Sequence, residues 1–457
     1  MQLSRFVVSY EDIRPGEHIL YSVLNDRYIG IDDATKSAVA SWSKGASPES
    51  ADEREVAEAL LDEGFLINDR GQDDAGLSVY MDKARDGIPR TMMVTLMPTL
   101  ACNLACDYCF QKESPAFNKM SRPTEHATIE WILRTIEQRG LQTLQIHYFG
   151  GEPTTRKDYC LRTAEIFHAA MLARGGKFVW SMTTNGVHLD KEFCEKMVRY
   201  GKGDIKVTLD GDKETHDQAR VYRDGRGTFD IIFKNVVDCA PIVPIRIGGN
   251  FLPSQAGSYE RLLERLENAG LAGVLASVKF KPIIDVTRKE GGSCTGCEHS
   301  SSGEVATLVQ LNKSITKKRL GIAGGDTLEG LLGPCELHWR NNYTIDPDGK
   351  VYKCPAVAGR PEMAVADVNV STRPMDGGAE VAELIAPLLA ARPWEKCGDC
   401  PYMPVCVGGC LGSKWLATGR NDEVFCQKTV YEKSFRDSVI PRYLAEFENQ
   451  SGYQDAA

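Results

Sequence analysis

From residue 92 onward, apolar runs and helix-period stretches alternate along the chain. The runs at 92–98, 143–149, 178–184, 205–209, 243–251 and 277–283 predict strands. Between them, residues 124–139, 157–174, 191–200, 229–240 and 258–268 repeat apolar positions at helical spacing. Strands alternating with helices predict an α/β unit with a parallel sheet and outer helices. Six strands are too few to close an eight-stranded barrel, so the expectation is a partial (β/α)6 barrel. Its ligand site should lie at the C-terminal ends of the strands.

The flanks read differently. Residues 5–9 predict a strand, and residues 18–31 a hairpin turning at Asn25-Asp26-Arg27. Helices follow at 34–42 and 53–63, and then a polar stretch from Asn68 to Gly76 that predicts a linker. Residues 335–426 are rich in Cys, Gly and Pro with little periodicity, which suits a small domain stapled by metal. The end of the chain after Glu446 is a polar tail.

Composition narrows the class. With 42% hydrophobic and 26% charged residues, the chain can bury a sizeable core. A net charge of −9 without a Lys/Arg block argues against nucleic acid as a partner. No run approaches the roughly 18 apolar residues that span a membrane, and no signal peptide is evident, so a cytoplasmic location is expected. Fifteen cysteines are many for a reducing compartment, where clustered thiols point to metal before disulfides. Cys160, Cys194 and Cys239 stand alone in helical stretches and are expected to be buried apolar groups.

Cys102, Cys106 and Cys109 form a C-x3-C-x2-C triplet directly after the first strand. Three thiolates can hold three corners of a four-iron cluster and leave the last iron free for a small molecule. Gly150-Gly151-Glu152-Pro153 follows the second strand. Its glycines permit close backbone approach and its carboxylate can bind an amine, although by itself it is also a tight turn. Thr183-Thr184-Asn185-Gly186 and Thr208-Leu209-Asp210-Gly211 end the third and fourth strands. They suit a ribose or adenine, or ordinary turn chemistry. A second thiol group comprises Cys335, Cys354, Cys397, Cys400, Cys406, Cys410 and Cys426. Its Cys397/Cys400 pair would equally fit structural zinc. Cys294 and Cys297 form a separate C-x2-C, and no general base is singled out.

On these motifs the chain resembles the radical S-adenosylmethionine (SAM) enzymes. The resemblance implies a [4Fe-4S] cluster on Cys102, Cys106 and Cys109. SAM would be held by Gly150, Gly151, Glu152 and Pro153, with ribose contacts from Ser181, Thr184 and Asn185. It implies reductive cleavage of SAM to a 5′-deoxyadenosyl radical that abstracts hydrogen from the substrate. Asp210-Gly211, His216-Asp217 and Arg220 look like a segment common in peptide-modifying members. The second thiol group resembles a SPASM extension with two auxiliary [4Fe-4S] clusters. Cys335, Cys354 and Cys410 would serve one, and Cys397, Cys400, Cys406 and Cys426 the other. The first set is one ligand short, open to a substrate thiolate or completed by a non-cysteine group or by Cys294 or Cys297. Sulfatase-maturing relatives carry an aspartate where Pro355 stands here.

Residues 1–72 resemble a winged-helix-like recognition domain for precursor peptides. The implied organisation continues with a linker at 73–90, the radical SAM barrel at 91–320, the SPASM domain at 321–445 and a tail at 446–457. The implied function is maturation of a ribosomally made peptide (RiPP), by thioether crosslinking. Carbon–carbon crosslinking, epimerisation and sulfatase-type oxidation are the enzymatic alternatives. An iron–sulfur electron carrier or a zinc-stapled peptide binder is the non-enzymatic one. The implied partners are the precursor peptide and an electron donor such as flavodoxin or ferredoxin.

Overall fold

The computed structural model describes residues 1–109, 111, 118–282, 302–320, 322–323, 335–370, 393–410, 424, 426 and 428–451. Cys294 and Cys297 lie outside them. The N-terminal part contains β1 (Gln2–Leu3), β2 (Val7–Arg14), β3 (Glu17–Ser22), β4 (Arg27–Asp32), α1 (Asp33–Trp42), α2 (Ala51–Asp62), β5 (Leu66–Ile67) and α3 (Arg70–Asp86). Strands β2, β3 and β4 form an antiparallel sheet in that order, and β1 pairs with β5. Asp32 and Ser50 cap α1 and α2 by accepting from the Thr35 and Glu53 amides. Leu20, Ile31, Val39, Trp42, Leu60 and Phe65 close a local core between sheet and helices.

The expected linker is corrected here. Residues 70–86 are helical, capped by Asp69. Asp73 in its first turn is buried and accepts from Ser4 Oγ (2.6 Å) and the Arg5 amide (2.9 Å). Polar composition hid this helix, because its anchor is a carboxylate reaching back some seventy residues, not an apolar stripe.

The main sheet is built from β6 (Thr91–Leu96), β7 (Thr143–Tyr148), β8 (Lys177–Thr184), β9 (Lys202–Thr208), β10 (Ile245–Phe251) and β11 (Ser277–Pro282). These are parallel neighbours in sequence order. Helices α4 (Arg122–Gln138), α5 (Lys157–Ala173), α6 (Lys191–Met197), α7 (Lys213–Ala219), α8 (Phe229–Cys239) and α9 (Ala256–Asn268) connect them. Alternation decides the faces. Val94, Leu144, Ile146, Trp180, Ile205 and Val207 turn to one side and pack with Ile132, Phe167, Phe193, Ile232 and Leu262 of the helices. Each such side chain contributes roughly 1.5–3 kcal/mol by leaving water. Cys160, Cys194 and Cys239 are fully buried in this layer.

The sheet exceeds six strands. Short β12 (Ile322–Ala323) adds in parallel beside β11. At the other edge, β13 (Asn342–Ile345) pairs in parallel with β6, and β14 (Lys350–Tyr352) and β15 (Ala366–Asp367) follow antiparallel. Part of the Cys-rich region therefore extends the sheet next to the strand that leads into the cysteine triplet. Among the described residues no helix is long and apolar enough to cross a membrane.

Candidate active site

The triplet loop leaves β6 and is fixed from two sides. The Thr99 hydroxyl accepts from the Ala101 amide (3.0 Å) and donates to the Asn118 carbonyl (2.9 Å). The Ala105 amide donates to the Val221 carbonyl at 2.9 Å. The Gly150–Glu152 turn after β7 lies directly on this loop. The amides of Gly151 and Glu152 donate to the carbonyls of Thr99 and Ala101, both at 3.0 Å. A Cβ at Gly150, where φ is 122°, would sit 2.3 Å from the Thr99 carbonyl oxygen. One at Gly151 would sit 2.2 Å from that of Ala101. Backbone cannot yield as a side-chain tip can, so glycine is the residue that lets these loops touch.

Glu152 is 1% exposed. Its Oε1 accepts from the Thr154 amide (2.8 Å), the Thr154 hydroxyl (2.5 Å) and the Thr184 hydroxyl (2.6 Å). Among the described residues its Oε2 accepts only from the Asn185 amide (2.7 Å). Pro153 opens the short 3-10 turn that Glu152 caps. Thr184 and the Asn185 backbone thus orient the carboxylate. The Asn185 side chain turns instead to the triplet loop, donating to Asn103 Oδ1 (2.8 Å) and toward Cys102 Sγ (3.7 Å). Ser181 lies deeper, with its hydroxyl 2.8 Å from His147 Nδ1.

The thiols of Cys102, Cys106 and Cys109 are half-buried and close enough to act on one another electrostatically. Burial pushes the Cys102 thiol up to about 11, with Glu152, Cys106 and Cys109 adding to the shift. Cys106 is raised by burial and eased down by Arg220. Among the described residues no three His, Cys, Asp or Glu side chains stand at metal-ligand spacing. The donor set nevertheless fits a cationic cluster with an ammonium-bearing partner. Iron would offset the desolvation that keeps these thiols protonated. Glu152 is a buried carboxylate whose described hydrogen-bond donors are all uncharged, with Oε2 holding a single one. Among the described residues Asn103 Nδ2 is buried without a hydrogen-bond partner.

A second network steadies the triplet from the far side. Tyr108 donates to Asp210 Oδ2 and accepts from Arg220 Nη1 (2.6 Å), while Asp210 Oδ1 accepts from the Asn250 amide (2.7 Å). Arg220 and Asp210 stand 3.6 Å apart. Tyr108 was not singled out from sequence; its position between two ligand-type cysteines was the available signal. His216 is fully buried, taking the Asp210 amide on Nδ1 (3.2 Å) and offering Nε2 to the Thr228 hydroxyl (3.1 Å). That hydroxyl in turn donates to the Arg220 carbonyl (2.7 Å). Asp217 accepts from the Thr228 and Phe229 amides and so anchors the start of α8.

Burial holds the His216 imidazole down to about 3, against 6.5 in water. The folded state therefore keeps it neutral while the unfolded chain takes up a proton as pH falls below 6.5, so stability is lost in that direction. From pH 7 to pH 5 the loss from this group should be on the order of 2 kcal/mol. Denaturant melts at the two pH values should show it, and His216→Gln should flatten the difference. An unchanged pH slope in the variant would assign the effect elsewhere.

The C-terminal thiols fall into two neighbourhoods. Cys354 is pushed up to about 12 by burial, with Cys335 and Cys410 adding to the shift. Cys335 feels Cys410 in the same way. Separately, burial raises Cys397 to about 11, with Cys400 and Cys426 contributing. Cys406 ends the one-turn helix Met403–Cys406, and Val407, Gly408 and Gly409, all at positive φ, reverse the chain before Cys410.

Residues 96–245 match the family model of the Radical SAM superfamily. Mycofactocin maturase MftC of Mycolicibacterium smegmatis is 25% identical over 365 residues, covering 72% of this chain and 80% of the relative. The structure of anSMEcpe with bound AdoMet and Cp18Cys peptide has TM-score 0.60 at 19% identity, over 79% of this chain and 99% of that one. SuiB of Streptococcus suis bound to its precursor peptide SuiA has TM-score 0.52 at 15% identity, over 93% and 99%. Both structures share the α/β fold with its parallel sheet.

Proposed function

This chain is a radical SAM enzyme of the peptide-maturase type, and from that premise we propose that it is a SPASM-type maturase forming a thioether in a ribosomally made peptide. Cys102, Cys106 and Cys109 would hold the SAM-binding [4Fe-4S] cluster, and Glu152 the methionyl amine through its singly occupied Oε2. When bound, cluster and SAM supply a radical that removes hydrogen from an unactivated carbon. The protein positions them through the glycine contacts between the two loops. Its Tyr108–Asp210–Arg220 network keeps the cysteine loop seated.

The observation that carries the thioether reading is the grouping of Cys335, Cys354 and Cys410. Three thiols leave a four-iron cluster one ligand short, and a substrate cysteine would complete the set. Cys397, Cys400, Cys406 and Cys426 would hold the second auxiliary cluster. Residues 321–445 would then be the SPASM domain, beside a barrel at 91–320.

Residues 1–72 would bind the leader peptide. Among the described residues β4 of the three-stranded N-terminal sheet pairs only with β3, and next to it lies a cavity of about 490 Å³ lined by Ile29, Ile31, Val56, Ala59, Leu60 and Tyr443. An added strand would take its backbone hydrogen bonds from that edge and place alternate side chains in the cavity. A flavodoxin or ferredoxin would supply electrons, in the cytoplasm.

Anaerobic incubation of the reduced, iron-reconstituted enzyme with SAM and the precursor peptide encoded beside its gene tests the reading. It should give 5′-deoxyadenosine and a peptide two hydrogens lighter, with one cysteine no longer alkylatable. An unchanged mass overturns crosslinking. Deuterium gained from solvent without net hydrogen loss would show epimerisation instead.

A further inference from the structure

The face of the sheet turned away from the helices is polar, and its charge is uneven. Strand registers place His147, Ser181 and Asp204 in one row and Thr183, Lys206 and Arg246 in the next. Thr208, Gly248 and Lys279 follow, then Asn250 and Lys281. Arg246 is paired with Asp204. Asp210 is engaged with Tyr108 and Arg220. Among the described residues Lys206, Lys279 and Lys281 form no hydrogen bond or ion pair, so this wall carries three ammonium groups without a contacting carboxylate there.

Lys206 is specifically accommodated. A Cβ on Gly248 would fall 2.3 Å from Lys206 Cε and 3.2 Å from its Nζ, so the lysine stem lies across the bare glycine backbone. Burial, Lys281 and Arg246, with a smaller part from Lys279, lower its pKa to about 8 against the opposing attraction of Asp210, which is itself committed to Tyr108 and Arg220. Burial, Arg246 and Lys206 likewise hold His147 down to about 4, so the imidazole adds no charge. A partly buried ammonium crowded by like charges, with a glycine making room for it, is poised for an anion. The wall runs from β7 to β11, and Glu152 and Asp210 follow the C-terminal ends of β7 and β9, so an anion on it would belong to a molecule at the same site.

We infer that this wall is a carboxylate-binding subsite, in which Lys206, flanked by Lys279 and Lys281, seats a carboxylate of the peptide substrate. The inference rests on the peptide-maturase reading above. The carboxylate is either the C-terminus of the peptide or an Asp or Glu side chain near the modified residue. Its seating fixes which carbon faces the SAM site.

The test uses the full-length reconstituted enzyme and the neighbouring precursor peptide in three forms: free acid, C-terminal amide, and with its acidic core side chains changed to Asn or Gln. For wild type, one of the two neutral forms should lose about 10- to 100-fold in kcat/KM, the range expected for one charge-assisted contact. Which form loses identifies the source. Lys206→Met should lose a similar factor on the free acid and show no further loss on that neutral form. Gly248→Ala, which displaces the lysine without removing a charge, should reproduce the effect. SAM affinity and iron content should stay at wild-type values in both variants. Equal turnover of all three peptides by wild type, equal losses on all forms in Lys206→Met, or a fall in SAM affinity would overturn the inference. If wild type modifies no peptide at all, the maturase reading fails first. The subsite is then judged by 19F relaxation of trifluoroacetate, which wild type should enhance and Lys206→Met should not. Identical relaxation in the two proteins overturns it.

Discussion

Replacing Cys106 with alanine is expected to abolish reductive cleavage of SAM while leaving the two proposed C-terminal clusters loaded. Cys106 is the central thiol of the triplet, half-buried and within the field of Arg220. With two thiols left, the first cluster loses a corner that no other described cysteine is placed to supply. The three proposed four-iron clusters would amount to about twelve irons per chain, so the variant should retain about eight. Iron and sulfide analysis alongside 5′-deoxyadenosine production checks both halves of the expectation. Cleavage that persisted would show that the triplet is not where the reaction starts. Loss of all iron would show that the three sites are not independent.

The second large effect concerns the charge of Glu152. Glu152→Gln keeps the size of the side chain but removes the negative charge that an ammonium group would meet. Truncating one partner of a buried charge pair costs about 2 kcal/mol or more, so SAM should bind about 30-fold more weakly or worse. The amide also introduces a donor where only acceptors fit. Oε1 receives three donors and Oε2 the Asn185 amide, so either orientation of Gln sets an NH2 against an N–H or O–H. A loss of stability of about 1–3 kcal/mol should accompany the weaker binding. Equilibrium dialysis of SAM, at matched iron content, separates the two effects. Wild-type SAM affinity in the variant would remove Glu152 from the cofactor site, leaving it as a structural cap for the turn at Pro153.

Much of this site could be read locally. The triplet, the Gly-Gly-Glu-Pro turn and the Thr-Asn-Gly segment each carry their chemistry in adjacent residues. The alternation of strands and helices places all three after strand ends. The partners of Glu152 could not be read this way. Thr184 and Asn185 reach it from more than thirty residues away because β7 and β8 are neighbours in register. Tyr108 meets Asp210 and Arg220 across about a hundred residues for the same kind of reason. The segment at 70–86 reads as a linker in sequence yet is a helix, because its anchor, Asp73 on Ser4 and Arg5, leaves no periodic trace.

The sequence by itself determined the kind of chemistry: clustered soft ligands, a carboxylate on a glycine turn, and the period of the elements that present them. These follow from residue type and spacing over a few positions, where geometry is nearly fixed by covalent structure. Tertiary structure alone decided which distant residues share a wall. The Cys-rich region contributes β13 beside β6. Lys206 lies across Gly248, next to Lys279 and Lys281. Such neighbours are set by strand order and register, which depend on how all the helices pack at once, and no local pattern encodes that.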